Sequence, residues 1–350
     1  MKYNIDAEYL VDTFKRIADV PSVVGYAKKL NPVFEDLAKE LGFSVTYDNR
    51  NTAYISVSGK NREKKIVFGA HADTIGMVVY KIENDGTLQM RTFGGVMFQS
   101  YEGESVRIMT RDGREYTGLI ACKSHSPHVF EDCRSMPRDQ EHMVVFLDEP
   151  VKSKEDVQAL GIQNGDFIYP DPRTTLTKNG YLKSRYIDDK GAIACSYAAL
   201  KYIAENKLTP ECDTIFAFPY YEEKSCGGAY VPEGVSEYIA VDIGLVGPDL
   251  DGAEDKVSIC SADANMPYDY DLTNKLIECA KEVGCGYALD VFYRYGTDGS
   301  ASFKMGNNLR AAAFGMAVIC SHGVERTHID GLIGTTNMIL EYMVRSDKND

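Results

Sequence analysis

At 350 residues the chain is long enough for two domains, and its 44% hydrophobic and 26% charged content is that of an ordinary water-soluble globular protein. A net charge of -14 repels phosphate backbones and anionic membrane surfaces, so neither nucleic acid nor a membrane is expected as a partner. The start, Met1 to Asp6, has no apolar signal stretch, and the longest nearly apolar run, Ala311 to Cys320, is too short to span a bilayer; a cytoplasmic protein is expected.

In chain order, Leu10, Phe14 and Ile17 sit at helical spacing, and a second helix around Val33, Phe34, Leu37 and Leu41 stops at Gly42. Val45 to Tyr47, Ala53 to Val57 and Ile66 to Ala70 read as strands. From Thr74 to Leu182 short strands alternate with turn signals such as Asn84-Asp85-Gly86 and Arg111-Asp112-Gly113, the texture of a small barrel or sandwich. One helix interrupts it, with Ser153 and Asp156 in a capping-box arrangement and Gly161 at its end. After Asp188 a helix from Gly191 to Glu205 restores strand and helix alternation. The predicted architecture is therefore an α/β/α domain with a mixed sheet, residues 1–73 and 183–350, split by a β-rich, barrel-like insertion, residues 74–182.

The chemistry-bearing residues lie where apolar strands end: His71 and Asp73 after Ile66 to Ala70, Glu222 and Glu223 after Ile215 to Phe218, and Asp242 after Tyr238 to Val241. Asp188-Asp189 opens a small-residue helix, and two late histidines, His322 and His328, follow the last apolar strand. In an α/β sheet such residues gather at the carboxyl edge, where these folds bind ligands. Five oxygen and nitrogen donors with a spare carboxylate are the inventory of a two-metal hydrolase. Blander roles compete at each position. Asp188 and Asp189 suit a helix N-terminus, Glu222 and Glu223 suit a solvated turn, and His71 suits a cap. Adjacent glutamates at a strand end repel each other unless cations neutralise them or one holds a proton. Nine cysteines without a C-x-x-C pair point to reduced, mostly buried thiols; Cys226, three residues after Glu223, is placed to line a site.

The order H-x-D, D-D-K-G, E-E, V-D-I-G and a late histidine resembles the tetrahedral (TET-type) dinuclear metallo-aminopeptidases, the glutamyl and leucyl aminopeptidase group. The resemblance runs through Gly69 to Gly76, the Gly94-Gly95 pair, Ser184 to Gly191 and Gly296 to Ala301. It implies that the inserted β-rich domain is a dimerisation domain and that dimers assemble to a tetrahedral dodecamer. It implies two divalent ions per subunit, zinc foremost with cobalt or manganese admissible. His71, Asp188 and Asp242 would hold one ion and Asp188, Glu223 and His328 the other, with Asp188 bridging. Glu222 would be the general base for a metal-bridging hydroxide that removes the N-terminal residue of peptide substrates, and Asp73 would orient His71. Thr297 and Asp298 resemble the substrate-pocket loop, and His322 would shape the pocket. The sequence departs from the family in D-D-K for D-D-R or D-N-R, and in Ile329-Asp330 for Ser-Pro after the final histidine. A related carboxypeptidase or N-acyl-amino-acid deacylase is the alternative enzyme, but those insert their second domain after the late aspartate. A catalytically inactive oligomeric scaffold is the alternative of another class.

Overall fold

The computed structural model describes residues 1–345. Nine strands form a mixed sheet whose centre is four parallel strands, ordered Cys212–Phe218, Asn61–Gly69, Val235–Val241, Arg310–Val318. Ala53–Val57 extends one side antiparallel, with Thr46–Tyr47 at the edge. On the other side Val257–Ala262 pairs antiparallel with Arg310–Val318 and parallel with Tyr287–Val291, and the two-residue strand Gly244–Leu245 also pairs parallel with Arg310–Val318. The two-residue pleat sorts side chains between the faces. Ile66 and Phe68 face one core with Phe216, Ile239 and Phe314, whereas Val67 faces the other with Ala217, Tyr238 and Ala240.

Five helices cover the first face: Ala7–Ala18, Asn31–Glu40, Ile187–Asn206, Tyr270–Val283 and Ile329–Val344. The first is capped as its sequence suggests, Asp6 accepting the Tyr9 N–H, and it buries Leu10, Phe14 and Ile17. Ile329–Val344 is buried on nearly every side and packs on both Ile187–Asn206 and Tyr270–Val283, which explains its apolar, small-residue composition. The opposite face carries the short helix Asp298–Lys304, with Tyr268 and Phe292 in its core.

The chain leaves the sheet after Gly69 and from Gly76 forms a closed six-stranded antiparallel barrel. Its order is Gly76–Ile82, Leu88–Phe93, Met143–Leu147, Glu115–Cys122, Ser105–Met109, Phe167–Pro170, and the last strand pairs back to the first. Closure removes the free edges such short strands would otherwise expose. The barrel has its own core, including Met77, Val79, Leu88, Ile108, Ile120, Val145 and Ile168. The helix Lys154–Ala159 lies within it, Ser153 accepting the Asp156 N–H at 3.2 Å and Gly161 following at φ 80°. The returning chain does not rejoin the sheet directly. Thr175–Leu176 and Tyr181–Ser184 form a small antiparallel sheet with Glu325–His328, tying the end of the insertion to the C-terminal region. Among the described residues no helix is long and apolar enough to cross a membrane. No disulfide links the nine cysteines; seven are buried, and Cys226 and Cys320 are exposed.

Candidate metal centre and active site

All four central parallel strands deliver acidic or imidazole side chains just past their carboxyl ends: His71 and Asp73 after Gly69, Glu222 and Glu223 after Phe218, Asp242 after Val241, and His322 and Glu325 after Val318. Asp188 and Asp189 come from the start of Ile187–Asn206. Their φ/ψ pairs, -75°/103° and -119°/23°, are not helical, and the peptide between them is cis.

His71 is buried between two acceptors. Its Nδ1–H donates to the Asp73 carbonyl at 2.8 Å, and its Nε2 lies 2.9 Å from Asp188 Oδ1. Burial alone would lower its pKa, but the Asp188 hydrogen bond and the Glu222 charge outweigh burial and drive it well above the usual imidazole range. The Asp73 carboxylate is 3.7 Å from that ring, so the backbone carbonyl rather than the side chain orients His71. The side chain serves the neighbouring turn instead, Oδ1 accepting the Glu222 N–H at 3.1 Å and Oδ2 the Glu223 N–H at 3.2 Å. Asp189 acts similarly, accepting the His71 N–H on Oδ2 at 3.0 Å, while its buried Oδ1 has no partner.

Asp188 faces both histidines. Oδ1 is turned to His71, and Oδ2 lies 3.5 Å from His322 Nε2, which is also 3.7 Å from Glu223 Oε2. Burial would raise the Asp188 pKa, but its bonds to His322 and His71 hold it well below the carboxylate range. The other carboxyls follow burial, which favours the neutral form. Glu223 is pushed up to about 8 and Asp242 to about 7, each with the Asp188 charge as the second cause. Glu222, whose Oε2 is 3.8 Å from His71 Nε2, is raised well above its ordinary value.

His328, expected at the second ion, is not brought to this cluster. It caps Ile329–Val344, its Nδ1 accepting the Asp330 N–H at 3.2 Å, and its Nε2–H donates to the Asn179 carbonyl at 2.9 Å. With one ring nitrogen accepting and the other donating, no lone pair remains for a metal. The expectation that placed His328 in the site and His322 at its margin is therefore corrected. His322 has the opposite arrangement, with Nδ1–H donating to the Gly95 carbonyl at 3.1 Å and Nε2 turned to the carboxylates. Both cluster histidines thus hold the proton on Nδ1, bonded to a backbone carbonyl, and present Nε2.

Thr297 is an N-cap, its Oγ1 accepting the Gly299 N–H at 3.1 Å and bonding the Tyr268 hydroxyl at 2.6 Å, so its side chain is engaged in the fold. Asp298 is buried with Oδ1 unpartnered, and burial and the nearby Asp73 and Asp242 charges push its pKa well up. Cys226 donates its thiol to the Lys224 carbonyl at 3.3 Å. The residue that sequence reasoning missed is Glu325. It is fully buried and accepts the Asp188 N–H on Oε2 at 3.0 Å and the His322 N–H on Oε1 at 3.2 Å, joining the two. Its one signal in the sequence was its position three residues after His322.

The donor chemistry fits divalent cations. Ligand atoms of His71, Asp188 and Glu223 lie within 4.8 Å of one another, as do those of His71, Asp189 and Asp242. The basic side chains flanking the aspartates turn elsewhere. Lys190 donates to the Ile17 and Val20 carbonyls, and Arg185 to the Ser100 carbonyl. A buried group of carboxylates facing two imidazoles is costly without cations to neutralise it.

A family profile described as M42 glutamyl aminopeptidase matches residues 51–338. The protein YhfE of Bacillus subtilis (strain 168) is 34% identical over 95% of this chain and 96% of its own length. Lysyl aminopeptidase of Pyrococcus furiosus is 23% identical over 63% of this chain and 61% of its own. Among solved structures, the aminopeptidase APDkam598 of Desulfurococcus kamchatkensis superposes with a TM-score of 0.86 at 21% identity, covering 97% of this chain and 96% of that one. The TET1 peptidase of Pyrococcus horikoshii gives 0.84 at 21% identity, covering 96% and 100%. These two likenesses establish the shared fold, and the profile and the Bacillus relative establish the lineage: the chain belongs to the M42 glutamyl aminopeptidase family of peptide-bond hydrolases.

Proposed function

We propose that the protein is a two-metal aminopeptidase that removes the N-terminal residue of peptides. One observation carries this reading: Asp188 turns one carboxylate oxygen to His71 and the other to His322. A carboxylate that faces two imidazoles through different oxygens is disposed to bridge two ions. His71, Asp188 and Asp242 would hold the first ion; Asp188, Glu223 and His322 would hold the second. Zinc is the foremost candidate, with cobalt or manganese compatible with the same nitrogen and oxygen donors. When bound, the ions would polarise the scissile carbonyl and acidify the attacking water.

The chain's own residues supply the proton transfers. Glu222, beside His71 but not needed to complete either donor set, takes a proton from water as its oxygen adds to the peptide carbonyl carbon. It then returns the proton to the departing amine nitrogen as the C–N bond breaks. Asp73 keeps Glu222 and Glu223 in place by accepting both of their backbone N–H groups. The buried Asp298 carboxylate, which faces Gly227, would contact substrate in this reading. We also propose self-association through the barrel. In support, the Pyrococcus horikoshii TET1 peptidase, of the same fold, assembles into a tetrahedron or a large octahedral shell.

The test is an assay of zinc-reconstituted protein on aminoacyl chromogenic substrates and their N-acetylated counterparts, with mass photometry on the same sample. Hydrolysis of free-amine substrates alone supports the proposal. Preference for the N-acylated compounds would favour the deacylase alternative.

A further inference from the structure

We propose that the inserted barrel completes the metal centre. The segment Gly94–Tyr101, which leaves the barrel strand Leu88–Phe93, is a strap that positions His322 through the Gly95 carbonyl. The inference rests on His322 being a ligand, as proposed above, and goes beyond it by giving the insertion a part in the site as well as in assembly.

The strap touches the site at both of its glycines. A carbonyl can only accept, so the 3.1 Å contact from Gly95 O fixes the His322 proton on Nδ1 and leaves Nε2 for the carboxylate side. Gly95 is exposed and lies outside the left-handed region, so its backbone would accept a side chain without strain. What forbids one is proximity, since a Cβ there would stand 2.7 Å from His322 Nδ1. At Gly94 a Cβ would stand 3.0 Å from Glu223 Oε2, a second proposed ligand of the same ion. Further along, the strap is fastened at two points, one in the barrel and one in the α/β layer. Phe98 is buried and packs into the barrel core. The Ser100 carbonyl accepts from Arg185 at 2.5 Å, and that fully buried guanidinium lies 4.0 Å over the Tyr101 ring. Gly95 is 227 residues from His322 in sequence, so the imidazole is aimed by a different fold unit from the one that carries it. A ligand imidazole whose second nitrogen loses its acceptor, or is pushed off it, binds metal roughly 10- to 100-fold more weakly.

The experiment compares full-length wild type, Gly95→Ala, Phe98→Ala and His322→Ala by zinc competition against a chromogenic chelator. Melting of the metal-free proteins monitors the fold, and the absorption bands of the cobalt-substituted proteins report coordination geometry. The expected result is that Gly95→Ala melts as wild type when metal-free, keeps one tight ion, and weakens the other roughly 10- to 100-fold with altered cobalt bands. His322→Ala should lose that same ion. If Gly95→Ala binds both ions like wild type while His322→Ala loses one, the strap positions nothing and the inference falls alone. If His322→Ala retains both, the ligand assignment falls and takes the inference with it. Should Gly95→Ala fail to fold, Phe98→Ala decides, because it removes a buried anchor of the strap without adding an atom near His322. Weakening of the same ion is expected, and wild-type affinity would overturn the proposal.

Discussion

The Asp73 carboxylate accepts the Glu222 backbone N–H at 3.1 Å, so the second residue after His71 holds the turn that carries the proposed general base. Its second oxygen holds Glu223 in the same way at 3.2 Å. Asp73→Ala would leave both N–H groups without that acceptor in a half-buried turn, at a cost of up to about 1–3 kcal/mol for each. We predict a lower kcat together with weaker binding of the ion held by Glu223, read by steady-state kinetics and metal analysis of the same preparation. A drop in kcat with both ions retained at full affinity would confine Asp73 to positioning Glu222.

Glu222→Gln preserves the shape of the side chain and removes its ability to take a proton. Metal content should stay at the wild-type level while kcat falls by at least about 100-fold. Near-normal turnover would remove Glu222 from the proton-transfer role.

The two late histidines should behave oppositely. His322→Ala is predicted to release an ion and abolish activity. His328→Ala removes a helix cap, at a cost of about 0.5–2 kcal/mol in stability, together with the bond to the Asn179 carbonyl, and should leave metal content and turnover close to wild type. Loss of an ion from the His328 variant would reinstate the sequence-based assignment.

The pH dependence of stability distinguishes metal-free from metal-loaded protein. Burial raises Glu223 to about 8 and Asp242 to about 7, so the metal-free fold takes up protons that the unfolded chain, with ordinary carboxyls, has already released. Groups raised in this way contribute stability that is present at low pH and lost as pH rises through their folded values. His322, raised to about 10 by Asp188 and Glu223 against the opposing effect of burial, acts in the same direction. Asp188 has the opposite sign, but its window lies on the acid side of the ordinary carboxylate range. The melting temperature of metal-free protein should therefore fall from about pH 5 to about pH 9. Bound zinc should flatten the slope, because cations replace the protons. Equal slopes with and without metal, measured by differential scanning fluorimetry, would contradict this.

Much of this was legible in the sequence for local reasons. The helix spacing of Leu10, Phe14 and Ile17, the Ser153 cap and the apolar runs ahead of His71, Glu222 and Asp242 each state their structure within a few residues. Strand ends in a parallel sheet then converge, so those motifs predicted their own meeting place. The late histidines were not legible in this way, because their roles are set by what each ring meets. His328 meets Asn179 from the end of the insertion, and His322 meets Gly95 from the barrel. Spacing along the chain reports neither contact. Glu325 escaped for a related reason: a lone glutamate in Glu325-Arg326-Thr327-His328 looks like a surface residue until the strand pairing with Tyr181–Ser184 buries it against Asp188. Asp73 was assigned to the site for its proximity to His71, but its carboxylate serves the Glu222-Glu223 turn.

The central claim is that Asp188 joins two ions in one site, and zinc titration of metal-free wild type beside Asp188→Ala tests it most directly. The account predicts two ions per subunit for wild type, and for the variant the loss of both ions together with aminopeptidase activity. One ion still bound at full occupancy and affinity in Asp188→Ala would contradict the bridge and require the site to be rebuilt around separate donor sets.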